Sequence, residues 1–140
     1  MFTVLFISHD ADLRAVAARV LRKNGADVVP AAHAGHATLA CRKQQDFDVI
    51  VVEEEMADER GTAIAERLRR YCPDAQLVRM CEDDAEVRDV EAGIRLVRPF
   101  LADQLIDAVV AAAAISVVLR NQPASPPADP GYTRRRAIIR

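Results

Sequence analysis

The sequence lacks an excess of charge of either sign. Its 140 residues carry 19 Lys and Arg against 21 Asp and Glu, for a formal net charge of −2 and a pI of about 5.9. Nothing therefore draws the whole chain to nucleic acid, and electrostatic recognition must be local. It also lacks a cysteine framework. The 3 cysteines, Cys41, Cys72 and Cys81, are odd in number and show no CxxC spacing. That excludes a disulfide scaffold or zinc knuckle and points to small core side chains in a reducing compartment. No apolar run has bilayer length: the most apolar stretch, Asp107 to Leu119, covers about 13 residues and is bracketed by Asp103, Asp107 and Arg120. No membrane span is expected. Met1-Phe2-Thr3-Val4 runs directly into apolar alternation without a basic leader or small-residue cleavage site, so a cytoplasmic location is expected. There is no internal repeat, and the length leaves no room for a second folded domain.

What is present is a hydrophobic content of 51%, enough for one sizeable core. Short apolar runs alternate with amphipathic stretches, the pattern of repeated β-α units and a parallel sheet. The runs Val4–Ile7, Ala26–Val29, Val49–Val52, Leu77–Met80 and Arg95–Val97 are the expected strands. The first and third are apolar throughout, as strands covered by helices on both faces must be, so these two are expected at the centre and the others nearer the edges. Leu13, Val16, Ala17, Val20 and Leu21 recur at helical spacing and stop at Asn24-Gly25. Weaker helical patterns cover Gly35–Lys43, Thr62–Tyr71, Ala85–Ala92 and Leu101 to about Leu119, which makes five strands and five helices. After Arg120 the composition changes to Pro123, Pro126, Pro127, Pro130 and Gly131. The expected organisation is a domain over 1–120 and a Pro-rich, basic tail over 121–140.

Several segments in this order carry more information together than singly. They are Asp12-Leu13-Arg14 at the start of the first helix, Phe47-Asp48-Val49-Ile50-Val51-Val52, Met56 with Gly61, Glu91-Ala92-Gly93, and Val97-Arg98-Pro99-Phe100. From about residue 3 to 112 the chain resembles the receiver domains of bacterial two-component response regulators. The last segment is similar to the family's V-K-P-F motif, in which a lysine precedes a cis-proline. The resemblance implies a doubly wound α/β fold of the flavodoxin type, with sheet order 2-1-3-4-5 and the functional edge at the C-terminal ends of the strands.

The resemblance also implies a compact phosphorylation site: an acidic pair after strand one and an aspartate after strand three holding magnesium, a Ser or Thr after strand four, and the lysine. Here the acidic pair falls on Ser8 and His9, with Asp10 one place beyond. The acceptor falls on Glu53, the hydroxyl on Cys81, the lysine on Arg98 and the aromatic switch residue on Arg95; only Pro99 is retained. In the family pattern three carboxylates need the metal and the lysine for neutrality. With Ser8 and an uncharged His9, Glu53 at −1 faces Arg98 at +1, and the pocket balances with no metal. Phosphoryl transfer without metal and lysine loses its positioning and its charge stabilisation. No phosphorylation from small phosphodonors is therefore expected, and no cofactor or resident metal. Glu53, one methylene longer than aspartate, is placed to mimic the phosphorylated state, with Arg98 clamping it through two parallel hydrogen bonds. The competing reading is a static ion pair in a site that no longer switches.

Other constellations are weaker. His9, Glu53 and Cys81 form a zinc-type donor set only if the fold brings them together. A Cys81–His9 catalytic pair has no orienting group in the sequence. His33 and His36 are expected in solvent, as is the acidic turn of Glu54 and Glu55 with Asp58 and Glu59. The last helix has two small or apolar faces, one through Leu101, Leu105, Val109, Ala112 and Ser116, the other through Ile106, Val110, Ala113 and Val117. Ile106, Val109, Val110, Ala113 and Val117 are the expected interaction face, for a homodimer or a protein partner. Arg134, Arg135 and Arg136 with Ile138 and Ile139 form a short basic segment, and the lack of a recognition helix beside it argues against nucleic acid. Three function classes follow: a phosphorylation-independent adaptor, a sensor of a small ligand or nucleotide in the vacated pocket, and a residual phosphoacceptor using Glu53 or Asp10.

Overall fold

The apolar runs and amphipathic stretches become β1 (Phe2–Ile7), α1 (Ala11–Lys23), β2 (Ala26–Ala31), α2 (Ala34–Lys43), β3 (Val49–Glu53), α3 (Gly61–Leu68), β4 (Gln76–Cys81), β5 (Ile94–Val97) and α4 (Ala102–Asn121). These come from a computed structural model that describes residues 1–56, 59–82 and 93–122. The five strands are all parallel, in the expected order β2-β1-β3-β4-β5. The described residues hold four helices; the helix expected over Ala85–Ala92, and the tail with Arg134, Arg135 and Arg136, lie outside them.

Strand alternation sends side chains to two cores. Val4, Phe6, Val49, Val51, Val78 and Met80 pack against α1 and α4, and Leu5, Ile7, Ile50, Val52 and Leu77 pack against α2 and α3. β1 and β3 lie inside the sheet and β2 and β5 at its edges, as their composition requires. β4 lies between β3 and β5, as the expected order has it, although Arg79 interrupts its apolar run. The guanidinium is tolerated there because a carboxylate meets it, as described below.

Asp10 caps α1 by accepting from the backbone N–H groups of Asp12 (3.0 Å) and Leu13 (3.1 Å). The helix ends at Asn24, and Gly25 takes φ 90°, the left-handed conformation that a terminating residue adopts most readily without a Cβ. α1 seats Ala17, Ala18 and Leu21 on the sheet, which turns Val16 out to 51% exposure, away from the core position expected for it.

α4 is longer than the apolar stretch in the sequence, since residues on both sides of it, Asp103 and Arg120 among them, are helical too. It has 20 residues, and its most apolar 18-residue window has a mean hydropathy of 1.8, long and apolar enough to cross a membrane by length and composition alone. One side of it, however, lies on the sheet: Leu105, Ala108, Val109, Ala112, Ala113 and Ser116 are buried. Its end is tied down by Arg120, which pairs with the Asp48 carboxylate and donates to the carbonyls of Asp46 (2.7 Å) and Phe47 (3.0 Å). Asp48 in turn accepts from the Thr3 backbone N–H at 2.8 Å.

Candidate functional site

At the C-terminal edge of the sheet four segments meet: Ser8–Asp10 after β1, Glu53–Glu55 at the end of β3, Cys81 ending β4, and Arg98–Pro99 after β5. The sheet order makes β1 and β3 neighbours, so Ser8 comes to Glu53 across 45 residues of sequence. The Arg98–Pro99 peptide is cis, and the Arg98 N–H donates to the Cys81 carbonyl at 2.8 Å, which fixes the β5 exit against β4.

Glu53 is only 3% exposed, and both of its oxygens are taken by the chain itself. Ser8 Oγ donates to Oε1 at 2.8 Å, and the Arg98 guanidinium donates to the same oxygen. His9 presents Nδ1 to Oε2, and its backbone N–H reaches that oxygen at 3.4 Å. Buried charge needs such pairing and hydrogen bonding. The expected ion pair between Glu53 and Arg98 is therefore present, but the two-bond clamp is not: Arg98 takes one oxygen, and His9 holds the other.

Ser8, His9, Glu53, Arg98 and Pro99 are brought together; Asp10, Cys81 and Arg95 are set differently. Asp10 spends its Oδ1 on the cap of α1, and its N–H donates to Ser8 Oγ at 3.0 Å. Cys81 is buried, with Sγ 4.0 Å from the Arg79 carbonyl. Arg95 lies in register with Arg79 on β5. Among the described residues no group of three or more His, Cys, Asp or Glu is placed to hold a metal, so His9, Glu53 and Cys81 do not form the zinc set considered from sequence. The residues also do not fit the magnesium of the receiver pattern. The Glu53 carboxylate is saturated by Ser8, His9 and Arg98, Asp10 spends its Oδ1 on the cap of α1, and a hydroxyl and an imidazole stand where the acidic pair would be.

A second cluster, beside the first, was not legible as a site. Glu54, expected in a solvated turn, is 2% exposed. Its oxygens accept from the Thr62 backbone N–H at 2.9 Å and from the Thr62 hydroxyl at 2.9 and 2.7 Å. Arg79 Nη1 lies 2.6 Å from Oε2, and the exposed Arg60 reaches it at 3.4 Å. Burial alone would push the Glu54 carboxyl up, but Thr62, Arg79 and Arg60 together outweigh it and hold the group below its ordinary value. The signal for this cluster was Arg79 itself, a charge within an interior strand that requires a partner. Gly61 completes the junction: its N–H donates to the Glu54 carbonyl at 2.9 Å, and a Cβ there would stand 2.2 Å from the Glu53 carbonyl oxygen.

The interaction face expected on α4 is split. Val109 and Ala113 are buried within the chain and belong to the core, and Ile106 packs partly against it. Val110 and Val117 are each 45% exposed and share the outward side with Ile115 and Val118. The cysteines are buried as expected. Cys72 Sγ donates to the Gln44 carbonyl at 3.8 Å, and the neighbouring thiols of Cys41 and Cys72 draw Cys72 down and push Cys41 up. His33 and His36 are exposed, and His33 caps α2 by accepting from the Gly35 N–H at 3.1 Å.

No protein-family model and no curated protein matches the sequence. Solved structures do match the fold. A response regulator receiver domain protein from Clostridium thermocellum superimposes with a TM-score of 0.76 at 16% identity, covering 85% of this chain and 99% of that one. The chemotaxis protein CheY4 of Vibrio cholerae gives 0.71 at 22% identity, over 80% of this chain and 98% of its own. NtrX from Brucella abortus gives 0.78 at 19% identity, and the match covers 99% of this chain but 34% of NtrX. At these identities the likeness establishes the receiver fold.

Proposed function

We propose that this chain is an atypical receiver domain in two-component signalling that works as a phosphorylation-independent adaptor in the cytoplasm. The observation that carries the reading is the saturation of Glu53: its two oxygens are held by Ser8, His9 and Arg98, three groups that the fold itself supplies. A receiver acts by changing its charge at this point. A carboxylate that is buried and already neutralised by an arginine has no open face for a phosphoryl donor, and removing it from its partners would cost several kcal/mol. The domain therefore holds one state, in which Glu53 and Arg98 stand in for the phosphorylated acceptor and its lysine. It presents a constant surface to a partner, and no catalytic step is required of it.

The surface that fits this role is the outward side of α4, where Val110, Ile115, Val117 and Val118 are exposed without an intervening charge. A second copy of the chain or a protein partner covers it. The test has two arms. Treatment with acetyl phosphate and magnesium, followed by intact mass measurement, is expected to give no phosphoryl adduct; a magnesium-dependent adduct on Glu53 or Asp10 would return the protein to the phosphoacceptor class. Sedimentation of the full chain and of Val110→Lys with Val118→Lys then reads the α4 face, and identical behaviour of both in the presence and absence of a captured partner would remove that face from the proposal.

One observation favours a second reading. A hollow of about 550 Å³ beside the site is lined by Asp10, Leu13, Glu82, Arg98, Pro99 and Phe100. Its mixture of apolar and charged lining residues suits a small polar ligand or nucleotide. A rise in melting temperature with nucleotides or small anions, lost in Arg98→Ala, would support the sensor over the adaptor.

A further inference from the structure

Away from both acidic clusters, the outer side of α1 and the edge strand β2 enclose an open groove of about 700 Å³. Its floor is made of Ala11, Ala15, Ala18 and Pro30, and its rim of Arg14, Arg19, Arg22 and Lys23. Ala11 and Ala15 are exposed one turn apart, and with Pro30 and the margin of the buried Ala18 they form a small apolar seat on which another backbone can lie close. The groove follows a helix of 13 residues, and so is roughly 20 Å long. No acidic side chain lines it. Asp27, the nearest acid on β2, falls on the opposite face of that strand from Pro30 by alternation.

Two of the cations are already held in place by the backbone. Arg14 Nη1 donates to the Ser8 carbonyl at 2.7 Å, and Arg22 Nη2 donates to the Val28 carbonyl at 3.0 Å. A guanidinium has five donors, so each keeps others for a carboxylate, and less side-chain entropy is lost when one arrives. Arg19 and Lys23 are exposed. In a chain whose formal net charge is −2, this concentration of cations around an apolar floor is a local feature, not a consequence of overall basicity.

We infer that this groove docks an acidic amphipathic helix of a protein partner. Carboxylates along the helix meet the rim, and its small or aliphatic side chains lie on the alanines. The chain's own tail is excluded by sign, because Arg134, Arg135 and Arg136 would face like charge. A nucleic acid fits less well, since no aromatic side chain stands in the groove to stack on a base and the floor is apolar. The surface is separate from the outward side of α4, so a partner on α1 and a contact on α4 can be tested independently.

The experiment uses the isotopically labelled full chain and a synthetic peptide of about four helical turns, glutamate on one face and alanine and leucine on the other. The expected result is amide shift changes confined to Ala11–Lys23 and Val29–Ala31, weakening with salt. Arg19→Glu with Lys23→Glu, both exposed, is expected to weaken binding about tenfold or more with an unchanged melting temperature and unchanged behaviour of the α4 face. The inference is overturned if the glutamate peptide gives no shifts or shifts elsewhere, or if a lysine peptide of the same pattern binds equally. It is also overturned if a DNA duplex binds more tightly at the same salt, or if the face proves to be where two copies of the chain associate.

Discussion

The two buried carboxylates differ in how far their arginines can retreat to water, and that difference predicts different costs for one chemical change. In Glu54→Gln the amide keeps the volume and the contact with Thr62, but Arg79 loses its 2.6 Å carboxylate. The Arg79 side chain is 3% exposed and cannot turn into solvent; it keeps its remaining interactions, yet the compensating charge is gone. Breaking a buried pair from one side costs about 3–5 kcal/mol. In Glu53→Gln the partners are freer: the Arg98 side chain is 26% exposed and that of His9 65%, so both can rehydrate. What remains is a hydrogen bond from Ser8 and part of a screened pair, about 1–2 kcal/mol. Thermal unfolding of the full chain should therefore fall by roughly 10 °C or more for Glu54→Gln and by about half of that or less for Glu53→Gln.

A pH series adds a second readout of the same perturbation. The Glu54 carboxyl is held below its ordinary value in the folded state, so its stabilisation is complete above about 4.5 and disappears as pH falls through the lower folded value. The gap between wild type and Glu54→Gln should close as pH drops below about 4.5. Equal melting temperatures for the two variants at neutral pH, or a gap that widens in acid, would refute the assignment of Glu54 as the buried structural carboxylate.

Two further outcomes follow from contacts at either end of the sheet. Gly61→Ala places a methyl group 2.2 Å from the Glu53 carbonyl oxygen, and because that obstacle is backbone the start of α3 must shift; a loss of about 2 kcal/mol in urea unfolding is expected, where a neutral or stabilising result would contradict the close approach. Arg120→Ala releases the end of α4 from Asp48, Asp46 and Phe47, and hydrogen exchange should show the last turn of α4 opening while β1 and β3 stay protected, with a global cost of about 1–2 kcal/mol.

Sequence carried the architecture because apolar periodicity reports burial on the scale of a whole element. β1 and β3 are apolar at each buried position from Val4 to Ile7 and from Val49 to Val52, and no edge strand has that need. The main site came from the receiver resemblance, which implied the strand order and the positions of Ser8, His9, Glu53 and Arg98; the observed order makes their strand ends neighbours. Where the reading fell short, the missing information was angular or concerned single contacts. Val16 on α1 turns outward and Val109 on α4 turns inward, each against its expected role, because a helix rotated by a fraction of a turn presents a different apolar stripe. Glu54 reads like Glu55 in a run of three acids, and only the partner 25 residues away makes it a core residue.

The two acids together explain why the C-terminal edge can be stable without a divalent ion. An ordinary receiver concentrates negative charge there and needs a metal to relieve it. Here consecutive carboxylates, Glu53 and Glu54, leave β3 in different directions, and each meets an arginine from a neighbouring segment: Arg98 after β5 and Arg79 within β4. Charge is cancelled locally on both sides of the strand, and Ser8 and His9 on Glu53 and Thr62 on Glu54 supply further hydrogen bonds. On this reading the edge has little to gain from a cation, and of the two carboxylates Glu54, whose arginine is buried, is the costlier to modify. Adding magnesium at concentrations that saturate receiver acidic pairs should leave the melting temperature where it was, and a clear rise would mean that the arginines do not neutralise this edge.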